Sequence, residues 1–229
     1  MRTTSKLVKA LAVLSALLPL CTWGQQTSSI VYDNSTTDLG KTYGVNGTEF
    51  GDEITLAGTD RNVNEFQFQY FLSGNASGNE TADLRFYAND GPTVSRTLPD
   101  GSTIQVPTPG TLLYDSGSFS LSKGFQVADA TGLNVTVPNN FTWTVTLNGV
   151  DSNESAGLLL YDPPTVGSSF ADFWQKNNGS WNTYLFDNGA TPANFAARVS
   201  AVPEPATIAY ALLAGASWLG YLGFKRRSS

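Results

Sequence analysis

Phe141-Thr142-Trp143-Thr144-Val145-Thr146-Leu147 places a large apolar residue at every second position and a threonine between each pair. Successive side chains of a β-strand point to opposite faces, so a period of two describes a strand with one dry face and one wet face. The same alternation recurs on either side. In Asn64–Tyr70, the rings of Phe66, Phe68 and Tyr70 alternate with Glu65, Gln67 and Gln69. Leu133, Val135 and Val137 enclose Asn134 and Thr136, and Leu84 and Phe86 alternate with Asp83 and Arg85. Further strands are expected near Ser29–Tyr32, Glu53–Ala57, Gly110–Asp115, Ser118–Leu121, Ala156–Tyr161, Tyr184–Phe186 and Phe195–Val199. Turn signals separate them: Asn46-Gly47, Asn89-Asp90-Gly91-Pro92, Pro99-Asp100-Gly101, Asn148-Gly149 and Asn188-Gly189. Some ten short strands with frequent turns predict an all-β domain over residues 25–200, an antiparallel β-sandwich of jelly-roll-like type. Ser168–Lys176 is the single stretch expected to be helical, with Ser168 or Ser169 as its cap. The continuous apolar run before Pro163-Pro164 suits a strand buried on both faces and ended by proline.

Composition narrows the chemistry. The 229 residues include no histidine and one cysteine, and the formal net charge is -6. Without histidine the chain cannot build a Ser-His-Asp or Cys-His pair or a His-containing zinc site. One cysteine excludes an intrachain disulfide and any cysteine-cluster metal site. The acidic balance offers no electrostatic footprint for nucleic acid.

The two ends carry targeting chemistry. Arg2, Lys6 and Lys9 precede an apolar run from Ala10 to Leu20, and Thr22 and Gly24 are the small residues of a cleavage site before Gln25. This layout predicts a signal peptide over residues 1–24, because the apolar run is too short to span a bilayer. Leu20 is too bulky beside Cys21 for a lipoprotein signal. The mature protein would then contain no cysteine, as suits an exported bacterial protein stabilised by core packing. Removing both ends leaves a strongly acidic body, compatible with cations or neutral sugars and unfavourable to anionic polymers. At the other end, Val202-Pro203-Glu204-Pro205 leads into an uncharged apolar stretch, 207–224, followed by Lys225, Arg226 and Arg227. As a helix, this stretch reaches about 27 Å, just enough for a hydrocarbon core of about 30 Å. The three cations would remain cytoplasmic, which agrees with export of the N-terminal side.

Residues 201–229 resemble the PEP-CTERM sorting signal of Gram-negative bacteria: the Pro203-Glu204-Pro205 motif, the transmembrane helix 207–224 and the basic tip Lys225-Arg226-Arg227, in that order. The resemblance implies recognition and removal of the tail by exosortase, an integral-membrane cysteine protease, after passage through the secretion translocon and cleavage by signal peptidase. It implies an inner-membrane-anchored intermediate, then a place on the cell surface or in the extracellular matrix, with exopolysaccharide nearby. It says nothing about the β domain.

That domain offers four sets of candidate residues. Trp174, Trp181 and Tyr184, with Phe170, Phe173 and Phe186 and the amides Asn177, Asn178 and Asn182, could stack and hydrogen-bond a polysaccharide, or could fill the core or plug its open end. Asp52-Glu53, Asp90 and Asp187-Asn188-Gly189 could offer oxygens to a structural calcium ion, although none matches an EF-hand loop or an RTX nonapeptide repeat and Asp and Asn are ordinary turn residues. A pair of carboxylates could serve a glycoside hydrolase. Eight Asn-x-Ser/Thr sequons, at Asn34, Asn46, Asn75, Asn79, Asn134, Asn140, Asn153 and Asn178, are common in a domain rich in these residues. The expected function is a noncatalytic surface or matrix protein without a cofactor; a carbohydrate-binding module is the alternative, with a hydrolase behind it.

Overall fold

The computed structural model describes residues 27–204. The expected signal peptide 1–24, Pro205, the expected helix 207–224 and Lys225, Arg226 and Arg227 lie outside the described residues. Among the described residues, no helix is long and apolar enough to cross a membrane. In chain order the strands are β1 (Ser29–Asn34), β2 (Asp38–Tyr43), β3 (Glu49–Thr55), β4 (Asn62–Leu72), β5 (Thr81–Ala88), β6 (Thr93–Thr97), β7 (Thr103–Pro107) and β8 (Leu112–Ser120). They continue with β9 (Gly124–Thr136), β10 (Asn140–Asn148), β11 (Ala156–Tyr161), β12 (Ser168–Ser169), β13 (Asp172–Asn177), β14 (Ser180–Leu185) and β15 (Ala197–Val202).

Two antiparallel sheets face each other. In the six-stranded sheet, β4 is the hub. β9 runs along one of its edges, while β15 and β11 share the other and carry β1 and β2 beyond them. The seven-stranded sheet runs β14-β13-β3-β10-β5-β8, with β12 also on β3. The alternating stretches behave as the period of two requires. Phe66, Phe68, Tyr70 and Leu72 of β4 and Phe141, Trp143, Val145 and Leu147 of β10 all point inward and are buried. Rings meet across the sandwich: Phe66 lies 4.9 Å from Phe86 and 5.1 Å from Trp143, and Tyr43 meets Phe50 edge-on at 5.2 Å. Such pairs add to the burial that drives the sheets together.

Three sequence expectations are corrected. Ser168–Lys176 is not helical; it forms β12 and β13. Asn178 and Gly179 have φ of 50° and 83°, the positive values of a tight hairpin turn, so β13 folds back on β14 with Asn177 opposite Ser180. The other edge of β13 bonds β3, with Trp174 opposite Gly51. Second, the threonine face of β10 is not simply wet, because Thr142 and Thr144 are fully buried. Third, β6 and β7 fill a stretch in which no strand was expected. They form a separate two-stranded hairpin that covers the outer face of the seven-stranded sheet.

Candidate functional site

The outer face of the seven-stranded sheet is divided into a covered half and an open half. Over the covered half, the β6–β7 hairpin lies like a strap. Val94 and Val106 on its underside pack on Tyr87, Trp174 and Trp181. Its base is clasped by Asp90, whose carboxylate accepts hydrogen bonds from the Thr111 amide at 2.6 Å and the Thr111 hydroxyl at 2.7 Å. Its tip rests on the turn at Asp187–Gly189, where a Cβ on Gly189 would come within 2.8 Å of Pro99. Between base and tip stands Arg96, which is almost wholly buried. Its Nη2 donates to Glu53, and its Nε lies 3.0 Å from Asp172 Oδ2. The guanidinium also covers the Phe170 ring at 4.4 Å and the Trp174 ring at 5.2 Å, while Trp174 Nε1 donates to Glu53 at 3.3 Å.

One cation thus serves two buried carboxylates, and the electrostatics show the imbalance. Burial, reinforced by the nearby Glu53 charge and opposed by Arg96, pushes Asp172 up to about 6. Asp52 sits on the other side of β3, fully buried and opposite Trp143. Burial, with the neighbouring Asp172 charge behind it, holds its carboxyl well above the ordinary range.

The open half is a cleft of about 640 Å³ lined by Thr48, Glu49, Thr146, Lys176, Asn177 and Asn178. Glu49, the first residue of β3, is its hub. Its Oε1 accepts hydrogen bonds from the Tyr87 hydroxyl and the Thr144 hydroxyl, each at 2.8 Å. Lys176 Nζ lies 3.6 Å from Oε2, and Arg85 approaches Oε1 at 3.8 Å while its Nε donates to Asp115 at 2.8 Å. Burial raises the Tyr87 hydroxyl, and its bond to Glu49 raises it further, so it stays a donor. The wall of hydroxyls, amides and one ammonium group is suited to hydrogen-bonding a polar ligand. Among the described residues, Glu49 is the only acid lining the cleft, and no second carboxylate stands opposite it there.

The predicted aromatic trio does not form one open strip. Trp174 and Trp181 lie on the outer face beneath the strap, with Trp174 wholly buried and Trp181 9% exposed. Tyr184, 39% exposed, is opposite Phe173 and therefore on the inner face, where its hydroxyl accepts a bond from Asn177 at 2.7 Å. The predicted calcium acids are dispersed to other tasks: Asp52 and Glu53 in the interior, Asp90 at the strap base, and Asp187 on Lys41 at 3.0 Å. Among the described residues, no group of three or more His, Cys, Asp or Glu side chains is placed to hold a metal ion. Asn34 is wholly buried, its amide donating to Tyr161 O at 2.8 Å, so that sequon is closed to modification. Pro203 and Glu204 follow directly on β15.

The sequence reading missed Arg96, Glu49 and Lys176. The signal for the strap was present: Val94 and Arg96 alternate before Leu98-Pro99-Asp100-Gly101-Ser102, and Ile104 and Val106 alternate after it. The fold and face together define an all-β sandwich with a strapped aromatic patch beside a polar cleft. No known protein family matches the chain, and no curated protein and no solved structure is significantly similar to it.

Proposed function

We propose that this chain is an exported, noncatalytic component of the cell surface or extracellular matrix, sorted by its C-terminal tail. The observation that carries the reading is the ordered triplet of Pro203-Glu204-Pro205, apolar stretch 207–224 and Lys225-Arg226-Arg227. The fold supports it in one respect. β15 is bonded to β1 as far as Ala201 and to β4 as far as Val202, so Pro203 and Glu204 follow directly on the last described strand. Prolines on either side of Glu204 disfavour helix and sheet pairing, which would suit an extended segment accessible to a protease. In the host, Glu204→Ala, or deletion of residues 225–227, should leave full-length protein in the inner membrane. Normal maturation of both variants would end the proposal.

The polar cleft favours a second reading, a carbohydrate-binding module for extracellular polysaccharide. The site is then Lys176, Thr146 and Asn178 around Glu49 rather than the strapped tryptophans. On a glycan array, Lys176→Ala and Thr146→Val should each reduce any binding shown by the unaltered protein, whereas Tyr184→Ala should not. Binding that depends on Tyr184 alone would rule out the cleft.

A further inference from the structure

The edges of the two sheets are not equally protected. β1, β2 and β14 are edge strands of six residues each. β8 is longer, but its pairing with β5 is broken by two register shifts. β9 has 13 residues and, among the described residues, pairs only with β4. From Gly124 to Thr131 that pairing is regular, and only beyond Thr131 does a register shift bend the strand. Long, flat, unprotected edges present a row of backbone donors and acceptors to any other strand. This one also carries the two most exposed large apolar side chains among the described residues, Phe125 at 70% and Val127 at 56%. Phe71 on β4 lies 4.9 Å from Phe125 and extends the apolar patch.

We infer that the free edge of β9 is a self-association surface, pairing antiparallel with β9 of a second copy about a two-fold axis through Gln126. The sequence Lys123-Gly124-Phe125-Gln126-Val127-Ala128-Asp129 is self-complementary about that point. Antiparallel pairing centred on Gln126 sets Phe125 against Val127 of the other copy and Val127 against its Phe125. It also brings Lys123, in the bend just before β9, towards Asp129 of the other copy, twice over. Moving the axis two residues, to Ala128, would instead put Val127 against a carboxylate and Phe125 against Thr131. Cross-strand pairs are the unit of sheet stability, and opposite charges and apolar pairs both favour the first register. An interface of this kind is isologous and closes at two copies. Five strand residues from each chain make a modest contact, so the dimer forms reversibly and with rising concentration.

The test uses the full-length protein in detergent, by sedimentation with the micelle density-matched, together with a charge swap. Lys123→Asp should weaken association about tenfold, as should Asp129→Lys, and the double swap should restore it. A short bismaleimide should link Gln126→Cys chains in a Cys21→Ser background into dimers, and should link Ala130→Cys chains far less. Rescue by the double swap with linkage at 126 establishes the pairing. Three outcomes overturn it: a monomer at all concentrations, which leaves the edge to a foreign strand; a dimer indifferent to all the swaps; or linkage no better at 126 than at 130.

Discussion

Arg96 shows what a single side chain does here. Its guanidinium joins a hairpin to a sheet through two carboxylates and two aromatic rings at once. Removing one partner of a buried ion pair leaves an uncompensated charge, at a cost of about 3–5 kcal/mol. Arg96→Ala should therefore lower stability by roughly that amount, and it should loosen the strap above Trp174. Acrylamide quenching of tryptophan fluorescence, measured well below the melting transition, should rise. Unchanged quenching would mean that the strap is held by its base and tip alone. Asp172 next to Arg96 makes a second prediction. Its folded value of about 6 lies above that of the unfolded chain. Between the ordinary aspartate range near pH 4 and pH of about 6, the folded protein keeps a proton that the unfolded chain has released. This carboxyl's contribution to stability therefore falls as pH rises through that interval. Asp52, raised for the same reason, carries the trend further. Asp90, Asp100, Asp115 and Asp187 are held below the usual range by hydrogen bonds and act oppositely, losing their contribution as the medium becomes more acidic. Melting temperature followed from pH 4 to 8 should fall less steeply in Asp172→Asn, and less steeply still in Asp52→Asn/Asp172→Asn. A steeper fall in either variant would contradict the assignment.

Two glycines separate conformational from steric effects among the elements. Gly179 has φ of 83° and open space where a side chain would be, so Gly179→Ala should cost about 1 kcal/mol through backbone conformation alone. Gly189 has φ of 90° and also meets Pro99 at the strap tip, so Gly189→Ala should cost distinctly more in denaturant melts. Equal losses would show that the tip yields freely. These turns also mark where the elements were legible in the sequence. β4, β5, β10 and β11 could be read because their alternation, or their unbroken apolar run, records burial directly. β13 could not, because Phe173 and Trp174 are adjacent and both buried, one in the core and the other under the strap. A strand covered on both faces loses its period of two, so the sequence pattern there reads as a helix. The Asn178-Gly179 turn was the overlooked clue. Arg96 and Glu49 could not be singled out, because their partners come from β3, β5, β10 and β13, and the sequence does not say which outward-facing residues a hairpin will cover.

At the scale of the molecule, one core joins both sheets, and Phe66 of β4 lies at their junction against Phe86 and Trp143. Phe66→Ala should destabilise the domain by about 3–5 kcal/mol. Both sheets should then unfold in one earlier transition, seen alike by near-ultraviolet and far-ultraviolet circular dichroism. Separate transitions would mean that the sheets are independent units. The topology has a further effect on biogenesis. β15, the last strand in the described chain, lies between β1, the first, and β4, and Ser29 is opposite Ala201. The ribosome therefore delivers the middle of a sheet after its flanks. A polypeptide cut short before Ala197 would lack that insert and leave two strands unzipped, an open wound for housekeeping proteases. Completion of the six-stranded sheet therefore waits on synthesis of residues 197–202.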